Sequence, residues 1–499
     1  MIRKYKIHTF NLNNVKQSPG SNSRVTKLQR MTQRSGSPKY LFLLITALSI
    51  PLFGQTQSDT PDNGLQQNNR AASRAQTDTL NEEIKKGWNF GALPAIAYDT
   101  DRGFKYGGLV NFFNYGDGSM YPDYMQSIYL EWSRTTKGSG INQLLFDTER
   151  ISSSVPVRLT VDLSYFTEKS MDFYGFNGYQ SAYHPGFEDE DDSRYISRMF
   201  YRYERNLFHF SAIFQDNIQQ SPVKWLAGID LYHHSLGDFN FDRYNKNSDD
   251  QLRDTVTLFE KYTDWGLIPE KDADGGLVNF LRAGLIYDTR DQKANPMDGI
   301  WSEVLLSAAP RFIGNTENQF AKLSVIHRQY FTLIPKDLNL AVRLGYQGTV
   351  AGRAPFYMQS YLISSYSKGV NVEGLGGKKS LRGILRNRVM GDDVAYANVE
   401  LRWKFWRFRL LNQRFYLAWS GFWDSGTVVD PIEVDKSLLP ASVEQDRYFG
   451  REEDALHHSL GTGLHVAMNR NFIVAVDFGK ALNKKDGNTG LYIGMDFLF

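Results

Sequence analysis

From Trp88 to the end of the chain, apolar and polar side chains alternate with period two. In Gly490 to Phe499 the apolar set is Leu491, Ile493, Met495, Phe497 and Phe499, with Tyr492, Gly494 and Asp496 between them. In Val394 to Phe405, Val399, Leu401, Trp403 and Phe405 alternate with Asn398, Glu400, Arg402 and Lys404. Asn471 to Lys480 and Lys336 to Gln347 behave in the same way. Period two places each set on its own face of a strand. A soluble sandwich also alternates, but these runs are long, and their second face is small or charged. Long strands with one apolar face, aromatics near the ends and a polar second face are what a tilted membrane barrel requires.

The runs read as strands near 89–98, 104–114, 124–135, 140–152, 155–168, 194–219, 222–236 and 276–289, then 299–311, 317–331 and 337–350. After a long connection come 394–406, 412–424, 456–467, 471–481 and 489–499. With both ends on one side of the membrane the number must be even, so 194–219 is taken as one long bulged strand. The expected fold class is all-β, a sixteen-stranded antiparallel transmembrane β-barrel over residues 88–499.

Composition agrees with this. Aromatic residues make up 14% of the chain, with 42 Gly, and mean hydropathy is −0.44, which argues against a bundle of membrane helices. A net charge of +2 gives no basic footprint for a nucleic-acid partner. The absence of Cys excludes a disulfide framework, a thiolate metal site and a cysteine nucleophile. No cofactor motif is found, and the expected function is not enzymatic. The adjacent pairs His233-His234 and His457-His458 point to opposite strand faces, so neither is a chelating pair. The acidic run Phe187 to Asp192 reads as a solvated loop and Phe173 to Gly178 as an aromatic-glycine loop.

Residues 41–54, LFLLITALSIPLFG, form the one sustained apolar run, too short to span a bilayer as a helix. Basic residues precede it and a polar tract follows, the layout of a secretory signal peptide over 1–54, with Met31 as a plausible true start. Residues 55–87 read as a disordered leader, with a short helix near Asn81 to Lys86.

The stretch Gly374-Leu375-Gly376-Gly377-Lys378-Lys379-Ser380 invites a phosphate-loop reading, but Lys379 stands where the motif needs Ser or Thr. Other residues give it another meaning. Tyr287 to Gly299, YDTRDQKANPMDG, joins two strands through a turn carrying Asp288, Arg290, Asp291, Pro296 and Gly299. SLRG, Ser380 to Gly383, lies in the long connection; FWDSG, Phe422 to Gly426, ends a later strand; Phe499 ends the chain. Together these resemble the BamA/TamA-like superfamily of outer-membrane insertases and translocases, also called the bacterial surface antigen family.

The resemblance implies that the loop between strands eleven and twelve folds into the barrel. Its tip would be Leu381, Arg382, Gly383 and Ile384, where Ile384 replaces the family's aromatic, and Asp424 would be the wall partner of Arg382. Parity also puts Asp424 on the polar face, opposite to Trp423. Phe497 and Phe499 are similar to the C-terminal signal read by the barrel-assembly machinery. The expected seam joins the first strand, with Gly91 and Pro94, to the last, with Gly490 and Gly494; proline cannot donate to a ladder. The resemblance implies a cell outer membrane location in a Gram-negative bacterium, outer-membrane lipid as surroundings, and insertion or translocation of a polypeptide or lipid-like client. The family's periplasmic POTRA modules are not expected in this sequence. A passive pore for small solutes and a surface adhesion or scaffold protein are the alternatives.

Overall fold

The computed structural model describes residues 84–499, apart from 96, 100–102, 122, 153, 247–250, 294, 366–373, 411–412, 469–471 and 496. The signal-peptide reading and residues 55–83 of the leader lie outside the described residues; residues 84–86 carry no helix.

One antiparallel sheet dominates the molecule. Its segments are β1 (Trp88–Pro94), β2 (Ala97–Asp99), β3 (Gly103–Asn114), β4 (Gln126–Thr135), β5 (Gly140–Thr148) and β6 (Arg158–Asp172). Next come β7 (Arg202–Asn217), β8 (Val223–Gly237), β9 (Gly275–Asp288), β10 (Gly299–Ala309), β11 (Phe320–Ile334) and β12 (Leu338–Gly352). The last are β13 (Asp393–Leu410), β14 (Gln413–Asp430), β15 (His457–Met468), β16 (Phe472–Ala481) and β17 (Thr489–Met495). β1 and β2 both pair with β3 and are two halves of one strand broken after Pro94, so seventeen segments make sixteen strands. From β3 onward each strand pairs with the next, as the alternation predicts.

The two faces invert the usual rule of burial. Trp403, Leu460 and Phe478 are 48%, 48% and 45% exposed, while Asn398, Glu400, Arg402 and Asp424 on the opposite face are 0% exposed. In water such a sheet would leave its apolar face without cover, a free-energy cost that lipid removes.

The polar face is buried because the chain itself covers it. Residues 353–365 and 374–392, between β12 and β13, contact strands from β6 to β17: Arg386 meets Glu168, Ser365 meets Glu303, and Lys378 meets the Ile493 carbonyl. Long connections at one end of the sheet add an aromatic cluster that includes Phe173, Phe176, Tyr201, Phe259, Tyr262 and Phe356. The rings of Phe173 and Tyr262 meet edge to face at 5.2 Å.

Three expectations need correction. The long strand placed at 194–219 is a single strand, but it starts at Arg202, because Phe200 and Tyr201 turn into the aromatic cluster. The last strand stops at Met495 instead of continuing to Phe499. Phe497 packs with Ala418, Ala467 and Ile473, and Phe499 with Tyr330 and Ala341; these alanines leave room for the rings on the polar face. The acidic run 187–192 is not all solvated: Glu188 is buried against Arg202. The stretch 374–380 is a mostly buried part of the covering segment. Ser380 Oγ is 2.9 Å from the Gly374 carbonyl and the Gly376 amide, which ties the glycines into a buried turn.

Candidate functional site

The site forms where the 374–392 segment meets β13, β14 and β16. Arg382 is 0% exposed. Its Nε and Nη2 donate to the two oxygens of Asp424 at 3.0 and 3.2 Å, and its backbone N–H donates to Oδ2 at 3.0 Å. Nη1 lies 3.1 Å from Glu400 Oε2 and 3.3 Å from Asp477 Oδ2. The guanidinium also sits 3.4 Å from the centroid of the Phe422 ring. A planar fork can satisfy two edges at once, whereas an ammonium at this point could not. Burial opposes the Arg382 charge, but Asp424 and Glu400 beside it outweigh that and hold its pKa above the ordinary value.

Strand register explains the convergence. Asn398 pairs with Asp424 across β13 and β14, so Glu400 lies two residues further along the same face. Asn398 donates to Asp424 at 2.8 Å and to the Ser380 carbonyl at 2.7 Å, and accepts from Arg343 Nε at 2.8 Å. Arg402 donates to Glu400 at 3.0 Å and to the Phe499 carbonyl at 2.8 Å. Arg382, Glu400, Arg402 and the C-terminal tail therefore form one continuous polar chain.

Backbone contact fixes the tip as well. Gly383 has φ +95, and a Cβ there would lie 2.5 Å from the Lys480 amide nitrogen. A Cβ at Gly479 would lie 2.6 Å from the Arg382 carbonyl carbon. Two glycines thus let the tip rest on the backbone of β16, the close approach that glycine inside a strand permits. The Gly383 amide donates to the Tyr492 hydroxyl at 2.9 Å. Gly479→Val is expected to lift the tip off β16 and lower the temperature at which the protein loses its compact gel mobility; Gly237→Ser, at the end of β8, is the control, because a Cβ there would meet nothing within 4 Å.

Leu381 and Ile384 are buried with Leu362, Leu375, Val389 and Tyr396, so an aliphatic residue at 384 fills its place. Asp424 is where parity put it. In the 287–299 turn, Arg290 makes two hydrogen bonds to Asp288, at 2.8 and 3.0 Å, and Asp291 accepts from the Met297 amide at 2.9 Å. The Pro296 carbonyl accepts from Asn339, and Gly299 takes φ +102. This turn meets Asn339, Tyr416 and Thr332, whereas Arg382 meets Asp424, Glu400 and Asp477. Gly91 pairs with Asn111, and Pro94, opposite Gly108, ends β1. Gly490 and Gly494 pair with Gly479 and Ala475, and Gly494 leaves space for the Lys378 side chain. Among the described residues no ladder joins β1 to β17.

Sequence reasoning missed Glu400 and Asp477 as partners of Arg382, and it missed Gly479 and Tyr492. The signal present was a charged residue on the polar face of a strand and a glycine inside one. It also missed two further arginines of the segment. Arg386 bonds Asp172 at 2.5 Å and Glu168 at 3.1 Å. Arg388 donates to the carbonyls of Gly178, Ser181 and Lys485 at 2.7, 3.0 and 2.8 Å. Nearby, His457 lies between Asp454 and Asp486, at 2.9 and 2.6 Å, stacked on Tyr179. Burial pushes the Asp454 pKa up, but His457 together with the Tyr179 and Val428 amides holds the carboxyl below its ordinary range.

Among solved structures the chain is similar to BamA from Haemophilus ducreyi lacking POTRA domains 1–3, at 15% identity and TM-score 0.46, covering 82% of this chain and 69% of that one. It is also similar to CdiB from Escherichia coli, at 10% identity and TM-score 0.45, covering 81% of this chain and 61% of that one. For CdiB from Acinetobacter baumannii the identity is 14%, the TM-score 0.40, and the coverage 83% and 60%. The chain thus spans less than two thirds of either CdiB chain. No curated protein sequence matches it. The Omp85 superfamily domain matches residues 126–497, from β4 through the folded-in tail, and the chain belongs to the Omp85 superfamily.

Proposed function

We propose that this Omp85 protein is a closed outer-membrane barrel that inserts or translocates a polypeptide client without catalysis, the 374–392 segment serving as its plug. The observation that carries the reading is the Arg382 guanidinium, held by carboxylates from three strands beneath an apolar, exposed outer face. Charge buried this deeply is stable only while the segment is seated. A client that competes for the same carboxylates, or pulls on the segment, would open the lumen. β1 and β17 are the natural gate, because Pro94 interrupts one of them and β17 is short.

A passive pore is the second reading, with the same segment as its constriction. The aromatic cluster over the end with the long connections favours the client reading, since a solute pore needs an open mouth. Cysteines placed at Ala92 and Leu491 are background-free in a chain without Cys. Oxidising them is expected to stop client delivery, followed as the protein content of the outer membrane, and reduction is expected to restore it. If the crosslink forms, seen as a change in gel mobility between oxidised and reduced protein, and both client delivery and solute flux continue, the gate reading fails and the pore reading gains.

A further inference from the structure

The tip of the β13–β14 hairpin, at the end of the sheet opposite the long connections, has a composition of its own. Residues 405–414 carry Arg407, Arg409 and Arg414 and no acidic residue, with Phe405, Trp406 and Phe408 among them, while Arg402 and Lys404 just before them are buried on the polar face. The hairpin also runs past its neighbours. The β12 ladder on β13 ends at the Leu338–Trp403 pair, and the β15 ladder on β14 ends at the Phe415–Met468 pair. Beyond them β13 and β14 continue as a two-stranded ribbon through Arg409–Arg414 and Leu410–Gln413.

A bulge sorts the two kinds of side chain. The register shifts between Lys404 and Trp406, so Phe405 is passed over. Without that shift, Trp406 and Phe408 would turn to the polar face. With it, Trp406 pairs with Leu417 and Phe408 with Phe415, and the aromatics stay on the membrane side. The Phe408 and Phe415 rings stack at 5.2 Å and 9°. Trp406 and Leu410 are 57% and 54% exposed. Arg407, Arg409 and Arg414 occupy the other face, with Arg407 also reaching Asp337 at 2.5 Å.

We propose that this tip is a docking surface for anionic glycerophospholipid headgroups in the adjoining leaflet. The proposal rests on the membrane reading above. The aromatic face continues the exposed stripe of Trp403 and Trp419, which places it at the boundary of acyl chains and headgroups. A two-stranded ribbon twists more strongly than a sheet interior, and arginine side chains are long enough to reach around it. Their charge then meets the phosphodiesters, and among the described residues Arg407 bonds the single acid Asp337. An acidic polypeptide would suit the arginines, but it would leave the aromatic face without a role.

The test uses the full chain inserted in vesicles of equimolar phosphatidylcholine and phosphatidylglycerol, extracted gently and weighed with its retained lipids by native mass spectrometry. The natural chain is expected to retain phosphatidylglycerol in preference. Arg407→Gln, Arg409→Gln and Arg414→Gln are each expected to reduce that preference, by about fivefold per basic residue at most. Trp406→Ala should lower the total lipid retained without changing the ratio. An unchanged ratio in the triple arginine variant, with compact gel mobility intact, overturns the proposal. So does a natural chain that retains both lipids equally while polyglutamate binds the tip, which assigns the surface to a polypeptide. A chain that fails to insert in any vesicle overturns the membrane reading and this proposal together; insertion without preference overturns this one alone.

Discussion

Replacing Arg382 with Ala is expected to unseat the 374–392 segment and to be the most damaging single change in the polar face. The variant removes the counter-charge of Asp424 and leaves Glu400 and Asp477 with fewer partners in a buried site. Breaking a buried ion pair by deleting one member costs on the order of 3–5 kcal/mol. Arg382→Lys separates charge from shape. The ammonium keeps the sign but cannot bond both Asp424 oxygens and the Glu400 side together, so it should recover only part of the loss. Asp424→Ala should resemble Arg382→Ala, and the double variant should be little worse than either single one, because the two side chains act as one unit. Denaturant melts of compact gel mobility would read all four proteins.

Arg388→Ala is expected to have the next largest effect, at the other end of the segment. One guanidinium joins the carbonyls of Gly178, Ser181 and Lys485, which belong to two different connections above the sheet. The variant leaves the Gly178 and Ser181 carbonyls without that donor in a buried place, and the Lys485 carbonyl without it nearer the surface. Hydrogen bonds to a charged group contribute roughly 1.5–3 kcal/mol each, so the connections should detach before the sheet unfolds. Limited proteolysis of the folded protein is the measurement: cleavage within 173–201 should appear in Arg388→Ala while the strands stay protected. Protection equal to that of the natural chain would show that the aromatic cluster alone holds these connections.

How far the sequence could be read follows from the range of each signal. Alternation is local, so most strands appear within a few residues of their places, and parity alone puts Asp424 on the face opposite to Trp423. The break at Pro94 is local too. What alternation cannot carry is which charged residues of distant strands share one spot. Glu400 and Asp477 are separated in the sheet by β14 and β15, and only the docked tip brings them together. The tail fails for the opposite reason. Phe497 and Phe499 continue a perfect alternation, and only the small Ala341, Ala418 and Ala467 on other strands show that the rings turn inward. The resemblance supplied Arg382 with Asp424, while the arginines at 386 and 388 had no motif to mark them. The bulge after Lys404 is likewise invisible to a strict period of two, yet it decides which way Trp406 faces.

The seated Arg382 segment is proposed to close the lumen of a membrane barrel. Single-channel recording in planar bilayers tests it most directly, with the natural chain beside Arg382→Ala and Asp424→Asn. The natural chain is expected to show a small, quiet conductance and both variants larger, fluctuating openings, with the compact gel form preserved at room temperature. Equal conductance in all three proteins would contradict it.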